Sequence, residues 1–223
     1  MKYLTPAIAA VALSLALVGC GSDKKAQTTS STSVASTAAT SAAPATSGTP
    51  GAQPRKTIAD YITENHITET PIHRGDAGSP TINLPLPDGW KVDETVSTSY
   101  GGIVLSQPAN PADPPRIVAI VSKLTGDVDQ AKLLQYAPGT LQSLPGFDGG
   151  DGTASTLSGF QAWQLNGTYT KGGAKRVAAQ KTVVIPGQGG VFVLELDADA
   201  AGSDQGPLMD AVKIIDDQTT ITQ

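Results

Sequence analysis

A tract of small and hydroxylated residues between Ala26 and Pro54 limits how much of this 223-residue chain can fold. The tract contains no charged residue, and Ser, Thr, Ala, Pro and Gly make up nearly all of it. Its one sizeable apolar side chain is Val34, so it cannot form a core. We therefore predict a disordered tether over residues 20–55, with an r.m.s. span of roughly 30–35 Å, and a folded domain over residues 56–223. Whether the Ser and Thr residues carry O-linked sugars stays open.

The segment before the tether has the pattern of a bacterial export signal. Lys2 is followed by an apolar run from Ala7 to Val18, which at about a dozen residues is shorter than the ~20 that a membrane-spanning helix needs. The run ends in LVGC at positions 17–20, which fits the lipobox, where the chain is cut before a lipid-modified cysteine. We predict a signal peptide over residues 1–19 and a Cys20 that carries S-diacylglycerol and an N-acyl group. Several acyl chains would anchor the protein stably to the extracytoplasmic face of the cell membrane.

The charge and the rare residue types exclude several classes of function. The formal net charge is −5, whereas binding to nucleic acid requires clustered Lys and Arg, so no nucleic-acid partner is expected. Cys20 is the single cysteine, which excludes a disulfide framework, a cysteine-rich zinc site and an iron–sulfur cluster. The only histidines are His66 and His73, and no GxSxG, P-loop, HExxH or GxGxxG pattern occurs. We expect no metal, no cofactor and no catalytic residue.

The remaining residues combine a few helical patterns with many strands. Apolar periodicity, with Thr57 and Asp127 as N-caps, predicts helices over residues 57–66, from 127 to 141, and from 207 onward, with a kink or a split at Pro138. Apolar runs predict strands over residues 81–86, 91–96, 102–107, 116–124, 160–170, 177–185 and 191–197, the fourth of them central. Because short glycine-containing turns join successive strands, we predict an α+β fold: an antiparallel sheet flanked by helices on one side.

The large amphipathic aromatic residues are the candidate ligand-binding side chains: Trp90, Tyr100, Tyr136, Trp163 and Tyr169. They can be ordinary core and rim residues. Alternatively, some of them can line an apolar cleft between the sheet and a helix, where an acyl chain or a sugar would bind. Gly101 and Gly102 follow Tyr100, allow close approach of the backbone, and could edge such a cleft. Both interpretations remain open.

The chain resembles the LpqN family of mycobacterial lipoproteins over essentially its whole length. The resemblance rests on the lipobox, on the Ser/Thr-rich tether and on the segments at 57–61, 78–82, 100–103, 122–126, 180–185 and 218–222. It implies a domain similar to the PsbP/Mog1 fold, an antiparallel sheet with flanking helices. It also implies a cell-envelope role connected with mycolate-glycolipid biogenesis and MmpL-type transporters. It carries over no active site, and only Cys20 corresponds residue for residue.

The leading hypothesis is therefore a non-enzymatic, membrane-anchored envelope lipoprotein. Its domain would bind a (glyco)lipid or a periplasmic protein, such as an MmpL-type transporter, as an accessory to lipid export. A second hypothesis is a surface-exposed, virulence-type protein that binds host proteins through an exposed face or a strand edge. Arg74-Gly75-Asp76 matches an adhesion tripeptide, although so short a motif recurs by chance. A third hypothesis is an unrecognised hydrolase, which would need His66 or His73 as its base.

Overall fold

A computed structural model describes residues 55–223, with four α-helices and eleven strands within that range. The helices are α1 (Ile58–Glu64), α2 (Gln130–Tyr136), α3 (Gly139–Gln142) and α4 (Gln205–Gln218). The strands are β1 (Thr68–Ile72), β2 (Thr81–Asn83), β3 (Trp90–Val92), β4 (Gly101–Leu105), β5 (Arg116–Thr125), β6 (Asp148–Gly149), β7 (Thr153–Leu157), β8 (Phe160–Lys171), β9 (Ala174–Gly187), β10 (Gly190–Ala201) and β11 (Thr220–Thr222). The predicted signal peptide, Cys20 and the tether up to residue 54 lie outside the described residues.

One antiparallel sheet is built around the consecutive long strands β8, β9 and β10. Gly172 and Gly173, with φ angles of 59° and 81°, turn the chain from β8 into β9, because glycine adopts positive φ without steric cost. The order across the sheet is β3-β4-β5-β10-β9-β8-β6, with β1 also paired to β5 and β7 also paired to β8. Strands β2 and β11 form a separate antiparallel ribbon. The central position predicted for residues 116–124 is confirmed, since β5 lies between β4 and β10.

The sheet has two differently covered faces, because successive side chains of a strand point to opposite sides. On one side, which we call the α4 face, Phe192 and Leu194 belong to the same core cluster as Leu208 of α4. On the other side, which we call the α1–α3 face, Val191 and Val193 belong to a cluster that contains residues of α1 and α2. The long strands are therefore buried on both faces.

The predicted α+β class, an antiparallel sheet flanked by helices, is confirmed. The arrangement differs in one respect, since helices were expected on one side and lie on both. The physical reason is visible in β9, where Val183, Val184 and Ile185 are consecutive and all buried. A strand that is apolar on both faces needs a covering layer on each of them.

The predicted helix starts and breaks agree with the structure except at one cap. Thr57 caps α1 in a capping box: Thr57 Oγ1 accepts from the Asp60 amide at 3.1 Å, and Asp60 Oδ2 accepts from the Thr57 amide at 2.9 Å. Pro138 separates α2 from α3, as predicted. The N-cap of α2 is Asp129 rather than Asp127, because the Asp129 carboxylate accepts from the first free amides of the helix.

Several strand boundaries were not predicted. The strands expected over residues 81–86 and 91–96 are limited to β2 and β3, since Pro85 and Pro87 cannot donate backbone hydrogen bonds and the chain turns at Asp93. Strand β1 was missed because its sequence, TETPI, has no apolar alternation and contains a proline. Among the described residues, no helix is both long and apolar enough to cross a membrane.

Candidate functional site

Two hollows adjoin α4 on the α4 face, and three apolar residues line both of them: Ile117, Leu196 and Ile215. The first hollow, of about 370 Å³, lies beside β8 and β9. The second, of about 510 Å³, lies beside β4 and the segment that links β2 to β3. Because the two hollows share these residues, we treat them as one groove with two ends.

The first end, which we call the polar hollow, has an apolar floor and a polar rim. Its rim side chains are Gln164, Asn166, Lys181, Lys213, Asp216 and Asp217. Strand β8 presents the two amides on the α4 face, where β9 and β10 mostly present apolar side chains. Lys181 is the exception in β9, and its Nζ contacts Asp216 Oδ1 of α4 at 2.7 Å. The polar hollow thus offers amide, carboxylate and ammonium groups beside an apolar floor.

The second end, which we call the apolar hollow, is lined mainly by aliphatic side chains: Leu84, Leu86, Val92, Val96 and Ile103. Leu86 and Val92 are 53% and 56% exposed, the largest values among the large apolar residues of the described range. Gly102 is required at the edge of the hollow, because a Cβ at this position would lie only 2.5 Å from Val96 Cγ2. The expectation that Gly101 and Gly102 edge a cleft agrees with this geometry.

Tyr100 and Arg74 form one wall of the apolar hollow. Tyr100 is 4% exposed, and its Oη accepts a hydrogen bond from the Ile82 amide at 3.1 Å. The Arg74 guanidinium lies over the Tyr100 ring, with Cζ 5.0 Å from the ring centroid. The neighbouring Asp76 carboxylate instead accepts from the His73 amide at 2.8 Å. The Arg-Gly-Asp tripeptide therefore forms part of a turn in which Arg74 packs on the domain.

Asp93 is the buried carboxylate of the apolar hollow. Its Oδ1 accepts from the Thr95 amide at 3.0 Å and from Thr95 Oγ1 at 2.6 Å, while its Oδ2 lies 3.7 Å from Arg116 Nη2. Burial disfavours the charged form, but the two Thr95 hydrogen bonds and the Arg116 charge outweigh burial and hold the pKa of Asp93 below its ordinary value. Asp93 is therefore ionised at neutral pH; its Oδ1 is hydrogen-bonded to Thr95, whereas its buried Oδ2 has no hydrogen-bond partner among the described residues and faces only the Arg116 charge.

The five aromatic residues singled out in the sequence do not share one site. Trp90 and Tyr100 lie in the core cluster of the α4 face, and of these two only Tyr100 lines the groove. Trp163 and Tyr136 pack against the cluster of the α1–α3 face, and Trp163 Nε1 donates to the Asp151 carbonyl at 3.0 Å. Tyr169 donates to Asp199 Oδ2 at 2.6 Å; burial, followed by this hydrogen bond, raises the pKa of Tyr169 to about 12. Aliphatic and amide side chains, rather than an aromatic cluster, form the groove.

A row of carboxylates lies on the α1–α3 face of β10, at Glu195, Asp197 and Asp199. Burial, followed by the charges of Asp197 and Glu69, raises the pKa of Glu195 to about 7. Burial also raises the pKa of Asp197, against a hydrogen bond from Gln180 Nε2 at 2.9 Å. No group of three or more His, Cys, Asp or Glu side chains within residues 55–223 is arranged to hold a metal ion.

Neither histidine lies in the groove. His66 follows α1 with a φ angle of 53°, and the exposed His73 has its Nδ1 3.6 Å from Asp76 Oδ2. The sequence did not indicate Gln164, Asn166 or Lys181 as site residues. One signal was present for Lys181, since a lysine is unexpected within the apolar run at 177–185 of a central strand.

Comparisons with known proteins all indicate one family. The family model described as "Probable lipoprotein LpqN" matches residues 54–222. Lipoprotein LpqN of Mycobacterium tuberculosis (strain ATCC 25618 / H37Rv) is 64% identical over 227 residues, which cover 100% of both chains. The crystal structure of LpqN involved in cell envelope biogenesis of Mycobacterium tuberculosis matches with a TM-score of 0.75 and 63% identity, covering 77% of this chain and 100% of that chain.

Proposed function

This chain belongs to the LpqN lipoprotein family, and from that premise we propose that it is a non-enzymatic lipoprotein of the cell envelope that binds an amphiphilic (glyco)lipid in the groove beside α4. Lipids on Cys20 anchor it to the extracytoplasmic face of the membrane, and the tether lets the domain reach lipids or a partner nearby. Its role is an accessory one in the biogenesis and MmpL-type export of envelope glycolipids. The observation that supports this function is a groove that is mainly apolar at both ends and carries amide, carboxylate and ammonium side chains on the rim of one end.

The polar hollow suits a hydroxyl-rich headgroup. Gln164 and Asn166 each offer an amide oxygen that accepts and an amide nitrogen that donates two hydrogen bonds. Asp216 accepts and Lys213 donates on the opposite wall. A sugar hydroxyl is both a donor and an acceptor, so such a mixed rim can satisfy several hydroxyls at once, while a purely apolar ligand would leave the rim groups without partners.

The apolar hollow suits an acyl chain. Leu86 and Val92 stay more than half exposed in a domain whose other large apolar residues are mostly buried. Each methylene that moves from water into an apolar site contributes about 0.8 kcal/mol. An acyl chain laid along this end would bury its own methylenes and the two exposed side chains together.

Calorimetry on the mature chain carrying Cys20→Ser tests the function. The titrants are a trehalose monoester with a medium-length acyl chain, free trehalose, and a purified periplasmic domain of an MmpL-type transporter. We expect the ester to bind and free trehalose to bind far more weakly. Val212→Trp fills the polar hollow from α4 and should abolish binding, whereas Ile214→Trp, on the same helix but outside the groove lining, should not. Binding of the transporter domain without any binding of the ester would contradict the lipid-binding function.

A further inference from the structure

We propose that the apolar hollow prefers an anionic amphiphile, and that the Arg74 guanidinium receives the carboxylate or phosphate of its headgroup. This preference rests on the proposed lipid-binding function of the same groove and specifies the class of lipid. It is carried by the position of Arg74 and by the fact that no carboxylate of the described residues forms an ion pair with it.

Arg74 is held in an orientation that leaves its donors available. Its guanidinium packs over the face of Tyr100, 5.0 Å from the ring centroid, and the hydrogen bond between Tyr100 Oη and the Ile82 amide fixes that ring. Stacking on an aromatic face leaves the in-plane N–H donors of a guanidinium free for a planar oxyanion. Because the platform is rigid, little side-chain freedom remains to be lost when a ligand binds.

No carboxylate within residues 55–223 forms an ion pair with Arg74. Asp76, two residues away, faces His73 through the amide at 2.8 Å and Nδ1 at 3.6 Å. Asp93, in the same hollow, accepts from Thr95 and faces Arg116. Neither carboxylate pairs with Arg74, and the Arg74 donors remain for a ligand.

The hollow that begins at Arg74 continues as an aliphatic surface past Val96 and Ile103 to the exposed Leu86 and Val92. A single cation beside an aliphatic channel matches an amphiphile that carries one acidic group next to its acyl chain. A charge-assisted hydrogen bond from Arg is about twice as strong as a neutral one, so an uncharged headgroup of the same size gains less at this position.

Two lining carboxylates, the buried Asp93 and the exposed Glu94, act against such a ligand, and Glu94 is the one that can be neutralised without disturbing the Thr95 hydrogen bonds. Its charge lies in the same hollow, and like charges disfavour each other. Removing the Glu94 charge should therefore strengthen binding of the anion, whereas removing the Arg74 charge should weaken it. The two opposite effects separate an electrostatic preference from a general loss of structure.

Three C12 amphiphiles below their micelle concentrations test the preference on the mature chain with Cys20→Ser: dodecyl phosphate, laurate and dodecyl maltoside. Inorganic phosphate is the fourth probe, without a chain. We expect both acidic amphiphiles to bind about tenfold more tightly than the maltoside, in line with one exposed charge-assisted bond. Arg74→Gln should remove that difference in affinity without weakening the binding of the maltoside. Glu94→Gln should increase the difference. Lys171→Gln, the same loss of one positive charge at an exposed lysine that does not line the hollow, should leave it unchanged.

Equal affinity for the acidic and neutral amphiphiles, insensitive to Arg74→Gln, would overturn the preference and leave lipid binding intact. Inorganic phosphate that binds as tightly as dodecyl phosphate would also overturn it, because the aliphatic hollow would then contribute nothing. Failure of all three amphiphiles to bind would instead overturn the proposed function itself.

Discussion

Lys181 of β9 and Asp216 of α4 form an ion pair across the wall of the polar hollow, with Nζ and Oδ1 2.7 Å apart and side-chain exposures of 8% and 28%. This pair connects β9 of the sheet to α4, which lines both ends of the groove. Its position makes the geometry of the site depend on a contact between two elements that are distant in sequence. A ligand hydroxyl that reaches this wall would meet one charge of each sign.

Asp216→Asn should lower the free energy of unfolding by about 1–3 kcal/mol, because it leaves the largely buried Lys181 ammonium without its counter-charge, and the partial exposure of Asp216 moderates the loss. Urea unfolding of the mature chain measures the change. Asp217→Asn is the matched control: Asp217 pairs with Lys213 of the same helix at the exposed rim, both side chains are more than half exposed, and the change in stability should be near zero. Equal losses from the two substitutions would show that the buried Lys181–Asp216 pair contributes no more to stability than the exposed Lys213–Asp217 pair.

Glu195→Gln should stabilise the domain at pH 8 and have little effect at pH 4. In the folded state the pKa of Glu195 is raised to about 7 from an ordinary value of 4.5, so folding favours its protonated form. The contribution of Glu195 to stability is then fully present below about pH 4.5 and is lost as the pH rises through about 7.

The gain at pH 8 should be about 1–3 kcal/mol, measured by urea unfolding at both pH values. Glu69→Gln, which removes one of the charges acting on Glu195 from the exposed strand β1, should give a smaller gain in the same direction. A Glu195→Gln effect of the same size at both pH values would contradict the assigned titration.

The long hairpins could be predicted from the sequence because each of β8, β9 and β10 has its own apolar pattern and because Gly172 and Gly173 mark a turn. The helices on the α1–α3 face could not be predicted from local patterns, because their position depends on β9 being buried on both faces. Of the groove, local patterns indicated only the edge formed by Tyr100, Gly101 and Gly102. Arg74, Tyr100, Ile117 and Leu196 come together only through sheet pairing and the packing of α4.

Gly139→Ala should destabilise the domain by about 1–3 kcal/mol, the usual cost of overpacking. A Cβ on Gly139 would fall well inside van der Waals contact with the backbone carbonyl of Lys56, which cannot move as a side-chain end could. Gly206→Ala is the control, because Gly206 lies in α4 with open space around it and alanine favours a helix by up to about 1 kcal/mol. Thermal unfolding should shift the melting temperature down for the first variant and up for the second. Two shifts of the same sign would contradict the assigned contact between α3 and the start of α1.

Lipidation at Cys20 can be tested without any knowledge of the ligand. A mycobacterial host that expresses the full chain and is fed an alkyne-bearing palmitate should label the wild-type protein. Cys20→Ser should remove the label entirely, because Cys20 is the only cysteine and no second thiol exists to accept a diacylglycerol group. Ser22→Ala, two residues further along, changes a hydroxyl without touching the thiol and should leave the label in place.

Mass spectrometry of the N-terminal peptide distinguishes the two acyl sites, the thioether and the new amine. A label that persists in Cys20→Ser would show that the chain is acylated at another residue. It would contradict Cys20 as the site of lipid attachment.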